Sequence, residues 1–508
     1  MAVRRAACLL VLALLCSTTA VPARANDAAD ALEVVSAERT IEAKTHVVKH
    51  VTDFRVRASA AADAANEPPS SMRILYEGVQ SSGLSYLKAT QRNKTSKKLE
   101  KMRFELEHTK EAGGTTIVTL HFKQPLQGTE EDEVRVTSVF MDMVSPKGPM
   151  EQSEEPILVY RGDSHHILSP YAIGSQKTTI ASTQIRNFSP LPPQSPSAAA
   201  SEIAFGPYVD VQPMSRSPMV VSFVQAIPQP YVDRLVRTVE VSHWAGTVQV
   251  NDAMRVTNVA PAVKGEFSRY EFSNTLTQKL MLRQQTGQLG DGPTTLNDVN
   301  LQIMNLQLPV NSRPIYYRDV NGNISTSDVR EIEGHKFLSL ITRYPLMGGW
   351  SAEFEYGYTL PLSSVAAHGD DGDVRLFVPF GVLNDQFAAK DFELRVALPE
   401  GASDISMRPP YKVESEFGTS ASYLDTVGRP VLIVRKTNVI WEHRKPLEVR
   451  YALPAYALLQ EPLILIGVFF LFFACMIAMG RADFRLVKED EDADTKEAAG
   501  ATKRKKNA

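Results

Sequence analysis

Alternate oxygen-bearing side chains in Asp319-Val320-Asn321-Gly322-Asn323 begin the way a calcium loop begins. Such a loop needs glycine at its sixth position and a bidentate glutamate at its twelfth. Ile324 and Arg330 stand there instead, so the run reads as a polar hairpin turn. Asp370-Asp371-Gly372-Asp373 is a second acidic run, and a solvated loop accounts for it. His165 and His166 form a pair without an obvious third ligand, and Arg161-Gly162-Asp163 spells an adhesion tripeptide that is common by chance. No HExxH zinc helix, GxSxG nucleophile elbow, phosphate loop or dinucleotide fingerprint occurs. The expectation is no catalytic residue, no cofactor and no metal ligand. A site assembled from dispersed acids would leave no motif, so an enzyme stays on the list of alternatives.

Residues that could receive chemistry are plainer. Asn93 (NKT), Asn187 (NFS) and Asn323 (NIS) head acceptor triplets for N-linked glycans. Pro190, directly after the second triplet, makes Asn187 the weakest acceptor. Four groups then combine large aromatics with glycine turns: Val241–Gly246 (VSHWAG), Lys264–Tyr270 (KGEFSRY), Tyr316–Asp319 (YYRD) and Arg343–Trp350 (RYPLMGGW). Aromatic and arginine side chains of this kind anchor interfaces. They also plug the open ends of β-sandwiches, which is the simpler reading of the same residues.

The elements that carry these groups start from the membrane topology. Arg4 and Arg5, an apolar run of about ten residues from Ala6 to Leu15, and small residues up to Ala25 have the order of a secretory signal peptide, 1–25, with Ala20 as the alternative cleavage point. Leu463–Gly480 holds 18 uncharged residues. As a helix it spans ~27 Å at 1.5 Å per residue, enough for the thin endoplasmic reticulum (ER) bilayer. Arg481, Arg485 and Lys488 follow it and place that side in the cytosol. The expected topology is type I, with the bulk of the chain lumenal and a disordered tail, 481–508. Lys505 and Lys506, third and fourth from the end, then match a dilysine ER-retrieval address. Ala474 and Ala478, four apart on one face of the span, would let a partner helix approach closely.

Three cysteines are present, Cys8 and Cys16 in the signal peptide and Cys475 in the span. The lumenal region therefore has no disulfide framework, no cysteine-bound zinc and no thiol chemistry. Its cores must hold it together unaided. Residues 26–480 carry 44 Lys+Arg against 51 Asp+Glu, a net of −7 with no clustered basic face, so no nucleic-acid partner is expected.

Between the apolar segments the pattern is period two, in short runs rich in Val, Ile, Thr and Tyr. Met102, Phe104 and Leu106 alternate with charges, and Gly113-Gly114 turns into Thr115–Phe122, a hairpin. The fold class is mainly β: two lumenal β-sandwich-like domains, one transmembrane helix and a short tail. The Pro/Ser/Ala-rich stretch 191–204 is the best linker and divides residues 26–190 from 205–458. Arg39-Thr40-Ile41-Glu42 recurs as Arg237-Thr238-Val239-Glu240, and Val48, Phe54, Arg55 and Val56 fall against Val248, Met254, Arg255 and Val256. Both a duplication and a chance match of two strands fit that recurrence.

EVSHW, KGEFSRYEF, YYRDVNGNISTS, RYPLMGGW, YLDTVGRPV and LQEPLIL, in this order and ending at a span, resemble the ribophorin I family, as does RTIEAKTHVVKHVTDF near the start. The resemblance implies a non-catalytic subunit of the oligosaccharyltransferase complex, which moves an oligosaccharide from dolichol pyrophosphate to Asn in Asn-x-Ser/Thr. It implies partners: a catalytic multi-span subunit, further subunits, nascent polypeptides and the ER membrane. No catalytic residue carries over, because the family has none. Animal members bear a long cytosolic domain facing the ribosome, whereas 28 residues follow Gly480 here, which leaves ribosome contact without support. The alternative reading is an ER client-binding receptor or chaperone outside the transferase.

Overall fold

The computed structural model describes residues 32–59, 68–93, 98–109, 114–126, 131–190, 194–196, 201–286, 295–369, 373–421, 425–454 and 456–482. The signal peptide, Asp370–Gly372 and the tail with Lys505 and Lys506 lie outside them.

The described residues run through thirty strands. The first five are β1 (Leu32–Glu42), β2 (Val48–Ala58), β3 (Ser71–Glu77), β4 (Leu84–Arg92) and β5 (Leu99–Lys101). Then come β6 (Arg103–Thr109), β7 (Thr115–His121), β8 (Asp132–Phe140), β9 (Val144–Pro146) and β10 (Ile157–Ser164). After them are β11 (Ile173–Ala181), β12 (Gln184–Phe188), β13 (Gln194–Pro196), β14 (Glu202–Val211) and β15 (Pro218–Val224). The second half opens with β16 (Pro230–Ser242), β17 (Thr247–Asn258), β18 (Leu301–Leu308), β19 (Ile315–Asp319) and β20 (Gly322–Asn323). It continues with β21 (Asp328–Ile332), β22 (His335–Leu346), β23 (Ser351–Pro361), β24 (Ala366–His368) and β25 (Asp373–Val378). It ends with β26 (Ala388–Ala397), β27 (Ser403–Arg408), β28 (Glu414–Ser420), β29 (Arg429–Val439) and β30 (Leu447–Ala452). Among the described residues four α-helices accompany them: α1 (Val79–Gly83), α2 (Arg269–Thr286), α3 (Leu362–Val365) and, after the last strand, α4 (Gln460–Arg481).

Strand n of the first half corresponds to strand n + 15 of the second. The long sheets are ordered β13-β14-β11-β1-β2-β8-β4-β5 and β28-β29-β26-β16-β17-β23-β19-β20. The four-stranded sheets are β12-β15-β10-β9 and β27-β30-β25-β24, and the three-stranded ones β3-β7-β6 and β18-β22-β21. Each long sheet contains one parallel pair, β1 with β11 and β16 with β26. Each first strand carries a bulge at the same place, between Val34 and Ser36 and between Val232 and Arg234. A bulge puts one extra residue into the strand and flips which side chains face inward. So Leu32 and Val34 face the core before the bulge, and Ala37, Arg39 and Ile41 after it. The recurrence of RTIE as RTVE is thus one visible piece of a fold used twice.

The change of core falls later than the Pro/Ser/Ala-rich stretch. Expected to open the second domain, β14 and β15 instead pair with β11 and with β10 and β12. Ile203, Phe205, Tyr208 and Val211, then Met219, Val221 and Phe223, fill the first core. They occupy the inward-facing positions of their strands, and that commits the strands there. The second core begins at Val232. Leu99–Lys101 pairs with the end of β4, and Arg103–Thr109 forms the expected hairpin with Thr115–His121. The aromatic run beginning at Lys264 leads into α2, an element that period-two reading did not anticipate.

The halves meet along a mixed seam. Val139 and Met141 pack with Ala388 and Ile440, and Met150 bridges to Val263. Gln229 Oε1 accepts from the His46 backbone N–H (2.9 Å), and Asn438 Nδ2 donates to Ser82 O (2.9 Å). Burial holds His46 down to about 4 and, with Lys436 nearby, His443 to about 3.

Each half also encloses one arginine at the repeated position. Arg237 and Asp252 face each other across β16 and β17 with no exposed side-chain surface, joined by two hydrogen bonds of 2.7 Å. Tyr356 donates to the same carboxylate (2.5 Å), and Arg237 Nη1 donates to Pro379 O (3.1 Å) just beyond β25. Burial by itself would depress the guanidinium, but Asp252 outweighs it and the net shift is upward. In the first half Thr52 stands opposite Arg39, and the counter-charge is Asp163 at the end of β10 (3.2 Å). Arg39 Nη2 donates to Ser164 O (2.6 Å), the place in β10 that matches Pro379 after β25.

Removing one member of such a buried pair leaves the other uncompensated, at a cost of about 3–5 kcal/mol. Asp252→Ala is therefore expected to lower unfolding free energy by about that much in denaturant titration of the full chain, and Arg237→Met with Asp252→Leu by clearly less. Acid acts on the histidines. Buried His46 and His50 sit near 4 folded against 6.5 in the unfolded chain. Unfolding between those values takes up protons, so this stability is complete above about pH 6.5 and is lost as pH falls towards 4, by up to about 3 kcal/mol per histidine. The thermal midpoint should be lower at pH 5 than at pH 7, and His50→Gln should narrow the gap.

Candidate functional site

The motifs singled out for chemistry are structural where the chain is described. Among the described residues no group of three or more His, Cys, Asp or Glu side chains could hold a metal ion. The His165 ring packs on Phe205 and the His166 ring on Tyr208, so the pair does not converge. Asp163 of the adhesion tripeptide is only 3% exposed and bound to Arg39, which removes it from any cell-surface partner. Asp319 Oδ1 accepts from the Asn321 N–H (2.9 Å) and forms the polar turn between β19 and β20.

The first half contains a cavity of about 200 Å³ lined by Arg39, His50, Tyr76, Gln80, Asp163 and His166. Its polar atoms are largely spent on one another. Gln80 donates to Asp163 (2.7 Å), Tyr160 donates to Asp163 (2.5 Å), and His50 Nε2 contacts the Tyr160 hydroxyl (3.1 Å). Burial raises Asp163, but Arg39 and His50 outweigh it and hold the carboxylate below the usual range. Burial also lowers His50 to about 4 and raises Tyr160 well above the phenol range. An ionised acid, a neutral imidazole and a neutral phenol make a stable network and not a poised acid–base pair.

Three of the four aromatic groups come together. Arg343 of RYPLMGGW holds Asp319 of YYRD through two bonds, 2.7 and 2.8 Å. A cleft of about 250 Å³ opens there, lined by Arg255, Tyr317, Asp319, Arg343, Tyr344 and Phe354. Trp350 meets Phe267 of KGEFSRY edge-on, centroids 6.4 Å apart. Gly348 permits this: a Cβ there would fall 1.9 Å from Pro261 O. Tyr344 lines the cleft and is exposed, Trp350 and Tyr270 of the joined groups are exposed too, and Tyr317 is buried, so both readings of the aromatics hold for different residues. Trp244 lies at the other end of β16, away from the rest.

A model of the Ribophorin I family matches residues 32–480. The chain belongs to the Ribophorin I family. It is 31% identical over 470 residues to the Arabidopsis thaliana protein named dolichyl-diphosphooligosaccharide–protein glycosyltransferase subunit 1B, covering 92% of this chain and 96% of that one. The rice subunit 1B is 30% identical (90% and 93% covered), and the Caenorhabditis elegans subunit 1 is 27% identical (92% and 75%). Solved structures align weakly: native yeast LTA4 hydrolase gives a TM-score of 0.25 at 11% identity over 41% of this chain and 31% of that one, too little to carry an argument.

In this Ribophorin I chain the recognisable blocks sit where strands end: EVSHW closes β16, YYRD fills β19, RYPLMGGW ends β22 and LQEPLIL enters α4. Pro462–Arg481 is the one helix among the described residues long and apolar enough to cross a membrane, and it packs on nothing. Ala474 and Ala478 lie on it, exposed. Of the acceptor asparagines, Asn323 is exposed at the β19–β20 turn, Asn187 is exposed within β12, and half-buried Asn93 donates to Glu100 (2.6 Å). Period-two reading missed Arg39, Asp163, Arg237 and Asp252. Only the phase of Arg237 and Asp252 among the alternating apolar residues of their strands could have marked them as inward-facing.

Proposed function

We propose that this chain is a non-catalytic, structural subunit of dolichyl-diphosphooligosaccharide–protein glycosyltransferase, with catalysis in a multi-span partner. The observation that carries the reading is the family match over both repeats and the apolar helix together. The two cores would be lumenal domains of a type I ER membrane protein, retrieved through Lys505 and Lys506, and the aromatic cleft of the second would hold partner subunits or retain acceptor polypeptides. Purification of the tagged full chain in mild detergent should bring down a multi-span partner together with transfer of lipid-linked oligosaccharide to an Asn-x-Thr peptide. A clean, inactive and partner-free preparation would overturn the reading. In sealed microsomes the amino-terminal region should resist added protease.

A second reading rests on Tyr344, exposed at the cleft, and on exposed Trp350 and Tyr270. A client-binding receptor would use them to bind unfolded glycoproteins, with bulk glycosylation unchanged on its removal. The helix offers a sharper test of assembly. Small residues allow close helix approach in lipid. Ala474→Leu with Ala478→Leu should cut the yield of assembled complex severalfold while leaving membrane insertion intact; equal yield would remove these residues from the interface.

A further inference from the structure

The end of the second half from which α4 departs is built as a rigid base. Glu400 Oε1 accepts from the Thr426 N–H (2.9 Å), the Thr426 hydroxyl (2.7 Å) and the Val427 N–H (2.6 Å). Gln460, the first residue of α4, donates to that same Thr426 hydroxyl oxygen. At Gly401 a Cβ would come within 2.9 Å of the Ala457 methyl, so the 399–402 loop lies directly against the approach to the helix. The helix thus leaves from a hydrogen-bonded platform and not from a slack tether.

Around that departure point the surface is apolar and aromatic. Trp244 at the β16–β17 tip is 74% exposed, Val427 86% and Tyr456 76%, and Leu459 is also exposed. Trp244 lines a small hollow with Leu453, Ala457 and Leu458, which fixes the indole beside the segment that runs into the span. The tip itself, Ser242–Thr247, has no acidic or basic residue other than His243, whose Nε2 is engaged by the Tyr451 hydroxyl (2.6 Å). Burial lowers that histidine, which keeps it neutral. Asp425 and Arg429 beside it are paired to each other (3.1 Å). Below, Leu463 and Ile466 continue the same exposed apolar surface down α4. Trp and Tyr with an apolar body and one polar atom settle at the headgroup level of a bilayer.

We propose that this base is a lipid-contacting face, with Trp244, Val427 and Tyr456 seated in the membrane interface around the emerging helix. The occupant is the phospholipid surface, argued from exposed apolar side chains on both sides of the helix start, Tyr456 and Leu459 before it and Leu463 and Ile466 on it, leading into a helix apolar enough to cross a membrane. One consequence follows for geometry. β16 runs from this base at Ser242 to the seam at Tyr231, roughly 36 Å at about 3.3 Å per residue, so the first half is held off the bilayer by the length of the second. The proposal requires α4 to span a membrane and does not depend on the transferase reading.

The chain has three tryptophans. In full-length protein carrying Trp350→Phe and Trp441→Phe, only Trp244 emits. Reconstituted into vesicles of phosphatidylcholine brominated high on its acyl chains, its emission should fall at least twofold relative to unbrominated vesicles, and acrylamide should quench it less than free tryptophan in water. Emission unaffected by bromine overturns the proposal in either of two ways. Full acrylamide quenching would put Trp244 in water, and protection from both quenchers would put it under protein. Transfer activity can fail or succeed in either case, so the two readings are separable.

Discussion

Each half closes its sandwich around one arginine. The guanidinium reaches from the strand after the bulge to the carbonyl at the end of β10 or β25, tying the long sheet to the four-stranded one. A charge in that position is tolerable only with a carboxylate against it, because an isolated ion in a protein interior is far too costly. The two halves meet this demand differently, from the facing strand with Asp252 and from the end of β10 with Asp163. The Asp163 arrangement takes the carboxylate out of the long sheet and leaves room for a polar cavity. The Asp252 arrangement fills the equivalent space with Tyr356 and Tyr358. Without thiols between the apolar segments, these polar ties and the two apolar cores carry the stability that many secreted proteins delegate to disulfides.

The second half has two working ends. One meets the first half through the seam, near which α2 and the aromatic cleft are gathered. The other carries the base from which α4 leaves. β16 connects them directly, so displacement at the base is transmitted along a strand paired on both sides and not through a loop.

Alternation of apolar and polar residues revealed the β class and most strand positions, because a half-buried strand repeats its burial every two residues. The same alternation hid the charged cores: Arg237 and Asp252 occupy inward positions, but nothing in either strand alone says that they face each other. The Pro/Ser/Ala-rich stretch looked like a boundary because composition marks weak local structure, and β14 and β15 then returned to the first core because their buried faces had no other partner. The adhesion tripeptide lost its meaning once Asp163 was seen to be enclosed.

The sequence by itself determined the apolar span, the thiol-free region between the apolar segments, the β class and the family, since these rest on composition, local period and ordered blocks. Tertiary structure alone decided that the fold occurs twice with one strand order, that a buried arginine anchors each copy, and that three aromatic groups converge while Trp244 stands apart beside α4. Those are relations between residues 15 to more than 100 positions apart, and a chain carries no local record of which distant strand its exposed hydrogen bonds and buried charges will meet.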